Sequence, residues 1–536
     1  MVVPIARVVL MPLRLYFRYL LLIVARVMRS GDFSTLVAKL RKTFCIGNIF
    51  DNILSALTTR YPLRRQIERT ATMIQRKMYD TIMAWSESKV RKAFLLVGTR
   101  QTGKTFVVRQ FAHEHFARTV EVNFLDNKKA AAILQAAQDT DDFLSRLSLM
   151  VQAPVVPGET LIFLDEIQEA SDLITVVKFL VEDGRYPVVL SDSMLGTELK
   201  GYRSFPVGYV QIERMYPLDF EEFCWSQGVP SSLIDGIRLA YRERRPLDEP
   251  LHERFAALFR YFVAVGGMPE VVQTYLDSSY DMGAVRAVAS QIVEQYRFDI
   301  AKYAEGRAPQ IRAVYNAVPS QLDKVNKRFR MDALKEGAVY RRHEDDFAWL
   351  IDAAVVLPTY AVAEPKRPLK RTARSSKFKL YDSDTGLLLS QYTPRVMLDV
   401  IGNARAVNFG SVYENAVAQA LTCQNPNLFY FYHSRKGEVD FIVERNDGTL
   451  LPLEVKSGKD YKLHTALNNL LGTEDFDIRE AYVLSMDNVE RGERLRKPVW
   501  YLPLYMAFCI AEETNGRLGS IRVAPPTFGN FEGENA

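Results

Sequence analysis

Two groups of residues in this chain have types and spacings that could do chemistry, and both suit phosphate. The first is Gly98-Thr99-Arg100-Gln101-Thr102-Gly103-Lys104-Thr105, set directly after the apolar run AFLLV and before the helix-like TFVVRQFA. A glycine-punctuated turn can present backbone N–H groups to an anion, and the positive end of a following helix adds to their pull. In such a turn Lys104 would reach the outer phosphates of a nucleotide and the Thr105 hydroxyl would hold Mg²⁺. Further on, Leu161-Ile162-Phe163-Leu164-Asp165-Glu166 ends an apolar run in two acids. Asp165 is placed to hold the same ion through water. Glu166 is placed to polarise the water that attacks a γ-phosphate, the step that separates a hydrolase from a shell that only binds. An apolar run followed by two acids is common alone, and the pairing with the glycine turn makes it specific. The next apolar run ends in Ser191-Asp192-Ser193, either a hydroxyl sensor for the γ-phosphate or a plain turn, while His113 and His115 read as surface residues.

The second group lies in FYFYHSRKGEVDFIVERNDGTLLPLEVKS, residues 429–457. Alternation puts Val439, Phe441 and Val443 on one face of a strand and Asp440 on the other; past the turn Asn446-Asp447-Gly448, Leu453 and Val455 alternate with Glu454 and Lys456. Asp440, Glu454 and Lys456 then share a face, and two carboxylates beside a lysine suit Mg²⁺ and phosphodiester attack. Upstream, Glu414 sits near the apolar stripe of GSVYENAVAQAL, where a carboxylate wants a cation or hydrogen bonds; Gln419 on the same helix is a weaker addition. The pattern is nonspecific by itself, since charged residues on a solvated hairpin often produce it. Pro452 removes a ladder donor and suggests an edge strand.

The elements that must position these residues follow from periodicity. Short apolar runs at 93–97, 120–124, 161–164, 187–191 and 209–212 alternate with helical stretches, which predicts a parallel sheet covered by helices. Residues 230–305 carry helical spacing, punctuated by Gly266, Gly267 and Pro269. From Pro319 to about Ala361 the order reads helix, turn, helix, extended, which suits a winged helix or a helical connector, and residues 410–510 return to α/β character.

Composition narrows the class. A single core stops growing near ~250–300 residues, so 536 residues call for several packed units. Hydrophobic residues at 48% and charged residues at 25% describe a folded chain rather than a disordered one. Lys plus Arg number 69 against 64 Asp plus Glu, and the excess of five equals the arginines of residues 1–30, so the rest is neutral. Nucleic-acid contact must then come from a local patch. Residues 365–379, PKRPLKRTARSSKFK, carry seven basic residues and no acid and read as a basic loop, with Lys370, Arg371 and Arg374 as the bets for a DNA backbone. A solvated loop is the competing reading, and no interleaved aromatics support base stacking there. Four widely spaced cysteines exclude a zinc ribbon or a disulfide framework and fit a reducing compartment, so a cytoplasmic location is expected. Near the N-terminus the longest uncharged stretch, Tyr19–Ala25, is too short to span a membrane. From Leu13 this segment reads as a basic amphipathic helix able to lie on a membrane or a partner, or as an ordinary exposed helix.

GTRQTGKT, LIFLDEIQEA, FPVGYVQIERMYPLDFEEF, GGMPEVV and EQYRFDIAKYAEG together resemble a family of prokaryotic AAA-type ATPases whose C-terminal domain is related to PD-(D/E)XK nucleases, over about residues 75–510. The resemblance implies an α/β P-loop sheet of order 5-1-4-3-2, a helical and winged-helix linker, and an α/β restriction-endonuclease-like domain. The division expected is a helical extension 1–75, an ATPase core 76–225, a helical subdomain 226–310, a winged-helix-like linker 311–395, a nuclease-like domain 396–511 and a tail 512–536. ATP and Mg²⁺ are the implied cofactors, and a homo-oligomer is the implied assembly, with Arg203 or Arg214 as candidates for the arginine a neighbour would supply. Glu414, Asp440, Glu454 and Lys456 match the nuclease-like pattern residue by residue, as the site of cleavage or as the remnant of a fold kept for binding or assembly. Asp192 stands where such proteins have a small glycine, which puts the sensor role of Ser191 or Ser193 in doubt.

Overall fold

Ala93–Val97 (β1) is five apolar residues, all buried, as a strand covered on both faces must be. In the computed structural model it lies inside a parallel sheet with Arg118–Asn123 (β2), Thr160–Asp165 (β3), Val188–Asp192 (β4) and Val210–Arg214 (β5). The strand order, β2-β3-β4-β1-β5, is 5-1-4-3-2 read from the other edge. Alternate residues of one strand feed opposite cores. Leu95 and Val97 join Leu164, Phe143 and Val177 on one side, while Phe94 and Leu96 join Phe163, Val108 and Phe111 on the other. The helices of this layer are Lys77–Ser86 (α1), Lys104–His115 (α2), Lys128–Gln135 (α3), Thr140–Val151 (α4) and Ile174–Asp183 (α5). Asn127 and Asp139 cap α3 and α4 by accepting from backbone N–H groups.

The structure describes residues 74–193, 208–304, 306–404, 409–458, 465–494 and 496–514, all within one compact body. The basic N-terminal segment, Arg203 and most of the expected tail lie outside the described residues. Among those described, no single helix is long and apolar enough to cross a membrane.

After Phe220–Ser226 (α6), the stretch 230–305 is helical as the spacing predicts, with Ser231–Glu243 (α7), Glu249–Val265 (α8), Pro269–Asp277 (α9) and Met282–Tyr303 (α10), followed by Ala308–Leu322 (α11). Asp219 and Glu222 form a capping box that starts α6. The glycines between α8 and α9 allow close approach as well as a turn. A Cβ on Gly267 would lie 2.1 Å from the Leu218 carbonyl oxygen. Gly267 instead accepts from Leu218 N through its own carbonyl at 2.7 Å, and its N–H donates to Asp384 Oδ2 at 2.6 Å. Three stretches of chain are joined there.

The expected order helix, turn, helix, extended is present as α11, the helix Glu344–Asp352 (α12) and the strand Val356–Val362 (β6). The extended part is not a separate wing. β6 pairs antiparallel with Ala373–Asp382 (β7) and parallel with Leu428–His433 (β8). Both strands thereby join an eight-stranded sheet with Gly437–Glu444 (β9), Leu450–Val455 (β10), Ala481–Ser485 (β11), Glu490–Arg494 (β12) and Lys497–Pro503 (β13), ordered β12-β13-β11-β10-β9-β8-β6-β7. Its helices are Thr385–Ser390 (α13), Pro394–Ile401 (α14), Gly410–Thr422 (α15), Thr465–Leu471 (α16) and Ala507–Glu513 (α17). A division at 395/396 would run through this one hydrogen-bonded sheet, and a single buried cluster extends from Leu218 to Ala511.

Two local expectations change. The basic run 365–379 is a loop only as far as Thr372; from Ala373 it is strand β7, where Lys377, Phe378, Lys379 and Leu380 alternate charged and apolar with period two. Pro452 lies on an inner strand. Its missing donor costs nothing because the parallel ladder from β10 to β11 begins one residue later, at Leu453.

Candidate functional site

The glycine turn sits between the end of β1 and the start of α2, with Gly103 in the left-handed region (φ 90°) and Gln101 likewise (φ 66°). Lys104 is buried and its ammonium donates to the Gly98 and Thr99 carbonyls, at 2.9 Å each; Thr102 Oγ1 donates to Thr99 O at the same distance. Burial pushes the Lys104 ammonium down, against the pull of Glu166, Asp192 and Asp165. Arg76 braces the turn from outside, donating to Thr102 O at 2.7 Å and Tyr216 O at 2.6 Å while pairing with buried Glu222 at 3.2 Å.

Asp165 ends β3 fully buried, and Thr105 Oγ1 lies 3.1 Å from both its carboxylate oxygens. Asn123, its register partner on β2, donates to Asp165 Oδ2 at 2.9 Å, and Ser191 Oγ donates to Oδ1. Burial raises the Asp165 carboxyl, and the Ser191 and Thr105 hydroxyls partly restore it. A hydroxyl and a carboxylate at contact distance, both hard oxygen donors, fit a Mg²⁺ ion whose other ligands are phosphates and water. Glu166, with φ 57°, turns its carboxylate out of the strand to accept from Ser193 Oγ at 3.0 Å and from Gln168 Nε2 at 2.5 Å. Ser191 accepts from Glu166 N at 3.1 Å, so the hydroxyls of Ser191 and Ser193, at and just past the end of β4, contact Asp165 and Glu166. Asp192 is buried, His113 and His115 are exposed, and so is Arg214.

The far end of α10 covers the turn. Arg100 pairs with Asp299 at 3.0 Å and donates to Tyr303 Oη at 2.8 Å, and Gln101 donates to Gln295 at 2.9 Å. Tyr303 Oη in turn donates to Glu169 at 2.9 Å. Near its start, α10 uses Arg286 to donate to the carbonyls of Leu389 and Tyr392, the first of these at 3.0 Å. One helix therefore touches both the glycine turn and the eight-stranded unit.

In the C-terminal sheet, Asp440 of β9, Glu454 of β10 and Lys456 just beyond it come together as the alternation predicts, and Glu414 joins them from helix α15. The register sets Phe441 opposite Leu453, which places Asp440 and Glu454 side by side, and Asp440 Oδ2 accepts from Val455 N at 2.8 Å. Lys456 pairs with Glu454 at 2.7 Å. The sequence reading missed two further lysines. Lys379 of β7, fully buried, lies 2.7 Å from Glu438, 3.3 Å from Asp440 and 3.4 Å from Glu414, and Lys327 pairs with the other oxygen of Glu414. Tyr381 Oη donates to Glu414 Oε2 at 3.0 Å. Despite burial, Lys379 and Lys327 hold the Asp440 carboxyl below its ordinary value, whereas burial and the Asp440 charge push Glu454 up to about 8. Among the described residues no group of three or more acidic, histidine or cysteine side chains is arranged to hold a metal ion. Lysine ammoniums lie against Glu414, Asp440 and Glu454, while the buried Oε2 of Glu454 has no donor. Gln419 serves the fold instead, accepting from Thr385 N at 3.0 Å and donating to Asp384. Lys370, Arg371 and Arg374 are exposed.

Residues 90–224 match a family model described as an AAA domain, and two models described only as domains of unknown function match 256–393 and 409–505. No curated protein matches the chain in sequence. Among solved structures it is similar to a Walker-type ATPase of Pyrococcus abyssi, at 14% identity and TM-score 0.37, covering 60% of this chain and 96% of that one. It is also similar to the Holliday junction branch migration motor RuvB of Thermotoga maritima, at 14% identity and TM-score 0.24, covering 55% and 90%. A third is the Orc1 protein of Aeropyrum pernix, solved in complex with DNA, at 12% identity and TM-score 0.23, covering 62% and 94%. Likeness this distant carries no functional weight. The matched model and the strand order place the N-terminal sheet in the class of P-loop ATPase domains. In particular, this chain carries an AAA-type ATPase domain, followed by a second unit built on a mixed sheet.

Proposed function

We propose that the chain binds ATP with Mg²⁺ at the glycine turn, hydrolyses it, and passes its nucleotide state along α10 to the C-terminal unit. The observation that carries this reading is the contact of Thr105 with both oxygens of Asp165, beside Glu166 and below Lys104. Thr105 and Asp165 would hold the Mg²⁺, which draws charge off the phosphate oxygens. Lys104 would exchange its two carbonyl acceptors for the β/γ-phosphates, and Glu166, oriented by Ser193 and Gln168, would accept hydrogen bonds from the attacking water.

Two uses of the C-terminal unit compete: cleavage of nucleic acid by a nuclease-like site, and binding or assembly on an inert fold of that kind. The lysines seated among its carboxylates favour the second. Exposed Lys370, Arg371 and Arg374 suit a DNA backbone, and such binding should weaken steeply with salt. The full-length protein, Lys104→Ala and Glu166→Gln, compared for Mg²⁺-dependent phosphate release and for ATP binding, test the core of the reading. Glu166→Gln is expected to retain ATP while losing about 10²-fold or more in turnover, and Lys104→Ala to lose both. A Lys104→Ala protein that hydrolyses ATP at the wild-type rate sinks the assignment.

A further inference from the structure

We infer that Lys379 is the resident cation of the C-terminal carboxylate cluster, standing where a divalent ion would have to sit between Glu414 and Asp440. The inference rests on the reading of that unit as an inert fold and goes on to name the group that makes it so. All four oxygens of the two carboxylates already have donors. Glu414 Oε1 is paired with Lys327, and Glu414 Oε2 with Lys379 and Tyr381 Oη; Asp440 Oδ1 is paired with Lys379, and Asp440 Oδ2 with the Val455 amide.

A hard divalent cation needs several such oxygens at about 2.0–2.6 Å with their lone pairs turned toward it. Here the shared space holds a positive charge instead, at 3.3 Å from one acid and 3.4 Å from the other. Lys379 cannot swing aside into water, because its side chain is fully buried and Glu438, at 2.7 Å, holds it from a third direction. Its backbone is fixed as well: β7 pairs with β6, and Lys379 bridges Arg328 on the other edge. A second ion brought into the same space would meet an ammonium in a medium of low dielectric, where like charges repel strongly.

Nucleotide-free full-length protein titrated with Mn²⁺, followed by calorimetry and by loss of the free-ion paramagnetic signal, tests this. Wild type is expected to show no site that Glu454→Gln removes. Folded Lys379→Met is expected to gain one, binding Mn²⁺ at least about tenfold more tightly than wild type. A wild-type site abolished by Glu454→Gln and untouched by Thr105→Ala overturns the inference, and so does a folded Lys379→Met protein that gains nothing. If Lys379→Met does not fold, the wild-type titration with its two control variants decides alone. ATP turnover plays no part in these titrations, so failure of the ATPase reading would show separately.

Discussion

Asp165 and Asp440 are both strand-borne carboxylates withdrawn from water, yet the protein satisfies them with opposite kinds of partner. Asp165 is held by neutral donors, the hydroxyls of Thr105 and Ser191 and the amide of Asn123. Asp440 faces the ammonium of Lys379, with Lys327 close behind. The consequence is visible in their acidities. Burial raises Asp165, and hydroxyls offset it only in part, whereas Asp440 is pulled below the ordinary carboxylate range. Neutral dipoles stabilise a charge without cancelling it, so Asp165 keeps a negative charge for an arriving cation. A lysine cancels the charge outright, and the acid is then part of the scaffold. Carboxylate type and spacing are thus a poor guide to metal chemistry until the sign of the neighbours is known.

The difference between the two acids can be tested by exchanging a single atom in each. Asp165→Asn is expected to lower ATP turnover by about 10²-fold or more while leaving the unfolding midpoint nearly unchanged. Asp440→Asn should do the reverse: turnover within about twofold of wild type, and a stability loss of about 3 kcal/mol in urea, because Lys379 keeps its charge with one fewer partner. Equal damage to turnover by both variants would break the contrast.

Asp382 sharpens it, as a buried acid with neutral donors and no lysine. It accepts from Asp384 N at 3.2 Å and Gln391 Nε2 at 3.1 Å, and burial pushes its carboxyl up to about 8. In the unfolded chain an aspartate titrates near ~3.9. Between these values the unfolded chain loses the proton and the folded chain keeps it. The stability tied to the protonated form is therefore fully present below the unfolded value and is lost as pH rises through the folded one. Unfolding free energies from denaturant titrations between pH 5 and pH 8.5 should decline, and Asp382→Asn should make that decline shallower by about a few kcal/mol, the part that is left belonging to Glu454, also raised to about 8. Asp440, shifted the other way, should contribute stability that disappears only in acid. The smallest expected effect concerns the latch on the glycine turn. Asp299→Ala frees Arg100 to meet a phosphate and should lower the KM for ATP about two- to fivefold; a raised KM would mean that the pair holds the turn in its binding shape.

Legibility followed sequence distance. The glycine turn is contiguous, and Asp165 follows a wholly apolar strand, so type and spacing were enough to find them. Asp440, Glu454 and Lys456 lie on neighbouring strands joined by a short turn, where alternation fixes the shared face. Lys379 could not be found the same way, because it meets Glu414 of α15 from 35 residues away and Asp440 of β9 with β6 and β8 between their strands, and its basic neighbours made the run look like solvated loop. The alternation within KFKLYD, which sets Lys379 beside Tyr381 and opposite Phe378, was the one signal available. Arg76 gave no signal at all: a lone arginine 26 residues before the carbonyl it braces has no pattern to betray it. The same nonlocality hid the transfer of β6 and β7 into the C-terminal sheet.

That transfer bears on how the molecule can be cut. A fragment begun at residue 396 would leave β8 with a bare edge where β6 lay beside it in parallel, an invitation to stick to other copies. It would also strand Glu414 and Asp440 without either of their lysines. A cut placed before α11 keeps Lys327, both strands and Lys379 together, so soluble expression of the two fragments side by side would reveal where the second folding unit begins.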